Sequence, residues 1–212
     1  NDEEGYCVYV HNNGLYFRVR HRRKHQSTRR GVHARRQVCS FHADTNKSCE
    51  ELLSEIRKYL PEDIGAVELT EADPRFHARL SCCGKTYVYR IWNSSEPNVF
   101  ERKYMYRYTY PLDLSAMRRA AEFLCGEHDF SAFTSLKRSK KSAVRRIDSI
   151  DISAENNEIR ITLTGNGFLY NMVRIISGTL IEVGSDKRSA ESISEALSSK
   201  TRENAGFTAP AN

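Results

Sequence analysis

An α+β fold built on antiparallel sheet follows from two features of the 212-residue sequence. Strand-like stretches precede helical ones instead of alternating with them, which argues against a doubly wound parallel sheet. Two strand-like runs, Ile147–Ile152 and Ile159–Leu163, flank Asn156-Asn157 and predict a hairpin.

Residues 6–20 alternate loosely and predict one or two strands, whereas 21–30 are too basic for a core element. Gln37 to Phe41 reads as a short strand. Ser48 with Glu51 three residues later is a capping-box pattern. It opens a helix whose apolar face is Leu52, Leu53, Ile56 and Leu60, stopped by Pro61. Residues 65–70 predict a strand, and Phe76 to Trp92 a long one. Tyr87 and Tyr89 mark its aromatic alternation, with Tyr89 expected on the face opposite Tyr87. Tyr104, Tyr106, Tyr108 and Tyr110 fall at strict period two, the signature of one strand face. Asp113 can cap a helix bearing Met117, Ala120, Ala121 and Leu124, with Gly126 as its stop. After the hairpin, Gly165 and Gly167 lead into a helix with Leu169, Met172, Val173, Ile176 and Leu180. Ser189 begins a last helix through Leu197.

Charge narrows the class. The net charge is +6, yet nine Lys or Arg and no acid lie between Arg18 and Arg36, leaving the rest weakly acidic. Lys137 to Arg146 adds six cations without an acid. Two basic patches on a weakly acidic body predict a polyanionic partner held by phosphate contacts; the alternative is a solvated face or arm. No run reaches the roughly 18 apolar residues of a membrane span. No secretory signal is visible in the sequence, and a first residue other than Met predicts a missing or processed N-terminus. The six cysteines include no C-x-x-C pair. Adjacent Cys82 and Cys83 point to opposite sides of an extended chain, a poor match to tetrahedral zinc, so reduced thiols, a cytoplasmic location and no metal are expected.

Five motifs occur in order. Thr28-Arg29-Arg30-Gly31-Val32-His33-Ala34 is followed by Gln37 and Val38. Phe76-His77-Ala78-Arg79 precedes Lys85-Thr86-Tyr87-Val88-Tyr89. His128 to Phe133 reads His-Asp-Phe-Ser-Ala-Phe. Phe168-Leu169-Tyr170-Asn171-Met172-Val173-Arg174 lies between Gly165 and Gly184. Arg202 leads to Ala205-Gly206 and Thr208-Ala209-Pro210-Ala211. Each is weak alone. Arg174, for example, could simply snorkel from an apolar helix. Together, from about residue 31 to residue 211, they resemble the TruA family of tRNA pseudouridine synthases.

That resemblance implies a pseudouridine synthase fold: two α+β halves around a central antiparallel sheet, with the active-site cleft between them. The pattern along the chain sets a domain boundary near Pro74. Residues 1–74 form a shortened N-terminal half carrying the catalytic-loop remnant. Residues 75–212 form a C-terminal half with the Phe-His-Ala-Arg, His-Asp-Phe and Met-Val-Arg motifs. The implied activity is isomerisation of uridine to pseudouridine in the anticodon stem-loop of tRNA, by a homodimer, with no cofactor. The family's stacking tyrosine falls on Tyr87, which could equally be a cross-strand core aromatic. Its arginine that pairs with the catalytic aspartate and substrate phosphate falls on Arg174. Arg79 would hold the RNA backbone, and His33 would serve as a shape or phosphate contact. Phe130 and Phe133 read as core.

The catalytic loop departs from the pattern. The family reads Gly-Arg-Thr-Asp-Ala-Gly-Val-His-Ala, and this chain has Arg29 at the Asp position and Arg30 at the Ala. A guanidinium is an obligate cation with donors only, so it is neither base nor nucleophile. Arg29 facing Arg174 would also repel it unless a phosphate lay between them. No catalytic residue is therefore intact, and impaired turnover is expected. Residues 11–30 read either as genuine divergence, giving a non-catalytic tRNA-binding pseudoenzyme, or as an out-of-frame or misassembled stretch. The family's early strand and helix and its closing Gly-Leu-x-Leu strand are not recognisable.

Overall fold

The computed structural model describes residues 4–12, 32–136 and 142–211. It divides the chain into two compact units, Asn1–Cys82 and Cys83–Asn212.

In the first unit β1 (Glu4–Asn12) is the central strand, flanked antiparallel by β2 (Ala34–Ala43) and β3 (Ile64–Ala72). The register sets Tyr6 opposite Phe41 and Val8 opposite Cys39. Period two sends Tyr6 and Val8 to one face. There they close a small core with Cys39, Ile64, Ala66 and Leu69. The Tyr6 and Phe41 rings stack 5.5 Å apart. Burial pushes the Cys39 thiol up to about 12.

Helix α1 (Cys49–Tyr59) lays Leu52, Leu53 and Ile56 on that core. Its capping box forms as expected. Ser48 Oγ accepts the Glu51 N–H at 3.2 Å, and the Glu51 carboxylate accepts the Ser48 N–H at 2.9 Å. Leu60 turns extended (φ −84°, ψ 140°) because Pro61 follows it. Arg57 donates to the Ala66 and Val67 carbonyls at 2.9 and 3.0 Å, fastening the last helical turn to β3.

The stretch Phe76–Trp92 is not one strand. Residues 76–84 fold as turns, and only Lys85–Trp92 is strand, here β4. Local bonds outweigh the aromatic alternation. The Asp73 carboxylate accepts the Arg75 N–H, its carbonyl accepts the Phe76 N–H, and the His77 carbonyl accepts from Leu80 and Ser81.

The second unit adds β5 (Tyr106–Arg107), β6 (Gly126–Asp129), β7 (Val144–Glu155) and β8 (Glu158–Gly165) to β4. They form one sheet in the order β5-β4-β8-β7-β6, antiparallel except for the short β4–β5 pair. Asn156 and Asn157 (φ 49° and 65°) make the two-residue β7–β8 turn, whose left-handed backbone suits hairpin twist. Tyr87 and Tyr89, contrary to expectation, share a face, since residues two apart must. They lie opposite Leu163 and Ile161 on the core side.

The tyrosine series is extended chain rather than a full strand. Only Tyr106 and Arg107 pair with β4. Asn93 supports the rest by donating to the Tyr108 and Tyr110 carbonyls at 2.8 and 2.7 Å. Three of the rings still form a ladder, at 6.3 and 5.8 Å.

Helix α2 (Leu114–Glu122) is capped by Asp113, whose carboxylate accepts the Ser115 and Ala116 N–H groups. It ends before Gly126, which instead opens β6 at φ 99°. Helix α3 (Met172–Gly184) buries ten of its thirteen residues and so forms the centre of the core. Helix α4 (Ser192–Ser199) starts three residues after Ser189, whose carbonyl accepts the Ser192 hydroxyl.

Candidate functional site

The second unit gathers three of the sequence motifs, and the Lys85–Tyr89 part of a fourth, around the first turn of α3. Arg174 is half-buried there. Its Nε donates to the Ala209 carbonyl at 2.5 Å, and its backbone carbonyl accepts the Ala209 N–H at 3.1 Å. Nη1 makes a long 3.4 Å contact with Asn171 Oδ1. Among the described residues Arg174 forms no ion pair. Nε and Nη1 thus meet neutral oxygens, and among the described residues Nη2 has no hydrogen-bond partner, which leaves it for an anion such as phosphate.

Asn171 caps α3 in the left-handed conformation (φ 59°) and donates to Ser135 Oγ at 3.2 Å. Thr134 and Ser135 both donate to the Tyr170 carbonyl. The chain after His-Asp-Phe-Ser-Ala-Phe is thereby joined to Tyr-Asn-Met-Val-Arg.

A strap formed by residues 205–210 runs along α3 toward Arg174. Gly206 N–H donates to Thr179 Oγ1 at 2.9 Å, and Phe207 N–H donates to Glu182 at 3.2 Å. Arg202 holds its start by donating to the Ala205 and Gly206 carbonyls and to Thr208 Oγ1. The approach is backbone to backbone. A Cβ on Gly178 would lie 2.0 Å from the Phe207 carbonyl oxygen, and one on Gly206 2.6 Å from Thr179 Cα. At the far end Tyr89 donates its hydroxyl to the Pro210 carbonyl at 2.8 Å. Burial and the nearby Tyr106 push the Tyr89 phenol well above its ordinary value, so it stays a donor at neutral pH.

Tyr87 is half-buried near the start of β4, edge-on to Phe168 with centroids 5.2 Å apart. The other expected site residues lie in the first unit. His33 is exposed immediately before β2. Arg79 is exposed on the turn after Phe76, and its N–H donates to His77 Nδ1. Ala78 N–H donates to Ser40 Oγ at 3.2 Å, which docks that turn on β2. Arg29 lies outside the described residues.

His128 and Asp129 are structural. His128 Nε2 meets the Cys125 carbonyl at 2.9 Å. Asp129 accepts from the Ser131 hydroxyl and N–H and pairs with Lys200 at 2.9 Å. The Ser131 hydroxyl and Lys200 hold its carboxyl below the ordinary value. Phe130 and Phe133 are fully buried. Among the described residues no group of three His, Cys, Asp or Glu is placed to hold a metal. No described helix is long and apolar enough to cross a membrane.

Sequence reasoning missed the roles of Tyr89, Asn171 and Ala209. The signal available was the motif text around them, which marks the segments but not their contact.

A family model described as tRNA pseudouridine synthase matches residues 120–212. The tRNA pseudouridine synthase A of Halalkalibacterium halodurans is 44% identical over 180 residues, covering 85% of this chain and 68% of that protein. The Geobacillus protein of the same name is 45% identical, covering 85% and 73%. A tRNA pseudouridine synthase A 2 of Clostridium tetani is 44% identical over the same shares. With that identity sustained over two thirds or more of each relative, the chain belongs to the tRNA pseudouridine synthase A family.

Proposed function

We propose that the chain is a tRNA pseudouridine synthase acting on the anticodon stem-loop, with turnover suppressed at the loop position that Arg29 occupies. The observation that carries the reading is the identity of 44–45% to proteins of that name across 85% of the chain. The reaction breaks the N1–C1′ bond of uridine and forms a C5–C1′ bond. The C5 hydrogen leaves as a proton, and N1 gains one. The base must first leave its stack. Tyr87 then offers an aromatic face, and Arg174 takes the adjoining phosphate on its open edge. Arg79 and His33 contact the RNA backbone from the first unit. The protein works in the cytoplasm as a homodimer without metal or organic cofactor.

A second reading is a tRNA-binding protein without turnover. The nine cations and no acid between Arg18 and Arg36 favour it, because phosphate contacts need no carboxylate.

Tritium release from tRNA labelled at uridine C5 decides between them. The unaltered chain is expected to release none, and Arg29→Asp with Arg30→Ala is expected to restore release. Release by the unaltered chain would mean that another carboxylate acts and that Arg29 does not suppress turnover. Silence from both, with tight and steeply salt-dependent tRNA binding, would favour the binding protein.

A further inference from the structure

We propose that Tyr89 is a positioning residue: by gripping Pro210 it holds the strap that aims the Arg174 guanidinium. The inference rests on the reading that Arg174 contacts an RNA phosphate.

Three bonds close a short circuit. Tyr89 Oη donates to the Pro210 carbonyl at 2.8 Å, Ala209 N–H donates to the Arg174 carbonyl at 3.1 Å, and Arg174 Nε donates to the Ala209 carbonyl at 2.5 Å. Ala209 is fully buried, whereas Pro210 is exposed. The Tyr89 bond therefore closes the strap at the point where it emerges to solvent. Proline has no N–H, so residue 210 can be held by hydrogen bonding only through its carbonyl. The other strap bonds, to Thr179 and Glu182, lie further along α3 and do not reach residues 209 and 210.

The consequence is directional. With Nε fixed on Ala209 and Nη1 near Asn171, the planar fork is held in one orientation. A rigid β4 supplies the fixed point, since Tyr89 is paired with Ile161 of β8 in the middle of the sheet. The phenol ring fills core space that Phe would fill equally. The hydroxyl is what couples β4 to the arginine.

The test follows the Arg174 Nε–H signal by nitrogen–proton NMR in the full chain, assigned by its loss in Arg174→Lys. Tyr89→Phe is expected to speed exchange of that proton roughly tenfold, about the worth of one net hydrogen bond. A chain ended at Thr208 lacks both acceptor carbonyls and should move the signal the same way without altering β4. In tRNA binding across a salt series, Arg174→Ala should lower the slope by about one contact. Tyr89→Phe should reproduce part of that loss and add nothing to Arg174→Ala. Unchanged exchange in both strap variants, or fully additive binding losses, would overturn the proposal alone. If Arg174→Ala leaves tRNA binding unaltered, the reading of Arg174 fails and the proposal fails with it.

Discussion

Helix α1 in the first unit contains no fully buried residue, whereas α3 in the second buries ten of thirteen. The two units are consequently held by different means. The first adds end devices to its small core: a capping box at Ser48 and an arginine tether from Arg57 to β3. The second relies on close backbone packing, with a strap laid against α3 where glycines permit it. The Arg174 cluster stands on the second kind of frame. A guanidinium that must hold one orientation gains from neighbours that cannot shift independently.

Substitutions that attack each device should separate the two kinds of stability. Gly178→Ala should have the largest effect, a loss of about 3 kcal/mol from overpacking, because its Cβ would meet the Phe207 carbonyl oxygen at 2.0 Å. Chemical denaturation measures this, and a loss under ~1 kcal/mol would mean that the strap yields easily. Ser48→Ala should cost about 1 kcal/mol, the usual worth of an N-cap, and should be visible in amide exchange across α1 while α3 is unaffected. Equal loosening of both helices would show that the units do not respond separately.

The smallest effect concerns Glu158, which joins β8 to β4 through Arg90 at 2.5 Å. Hydrogen bonding from Arg90, then from Arg160, lowers its carboxyl from 4.5 to about 2. The folded value is depressed, so its contribution is present above pH 4.5 and disappears as pH falls toward 2. Glu158→Gln should flatten the melting temperature against pH within that window, relative to the unaltered chain. Parallel curves would remove Glu158 from the account.

Where structure is set by neighbours in sequence, it was legible. The Ser48–Glu51 box and the Asn156-Asn157 turn are complete within a few residues, and both form. Alternation misled where extended chain takes its bonds elsewhere. Tyr104 to Tyr110 keeps period two, but Asn93 and a two-residue bridge satisfy its backbone, so little of it is strand. Phe76 to Gly84 alternates yet closes into turns after Asp73-Pro74. At the site, Tyr87 and Arg174 were marked by their motifs. Tyr89 was misplaced on the wrong face, and its bond to Pro210 spans 121 residues of sequence. A contact at that separation is a product of the whole sheet and helix arrangement, which no local pattern encodes.

Cys39, fully buried beneath α1 with its thiol raised to about 12, supplies the first unit with a built-in clock. A thiol held protonated and covered does not react with alkylating reagents at neutral pH. It becomes reactive only when the sheet and helix separate, so its modification rate counts openings of that unit. The exposed Cys83, at the start of the other unit, needs no such opening to meet solvent.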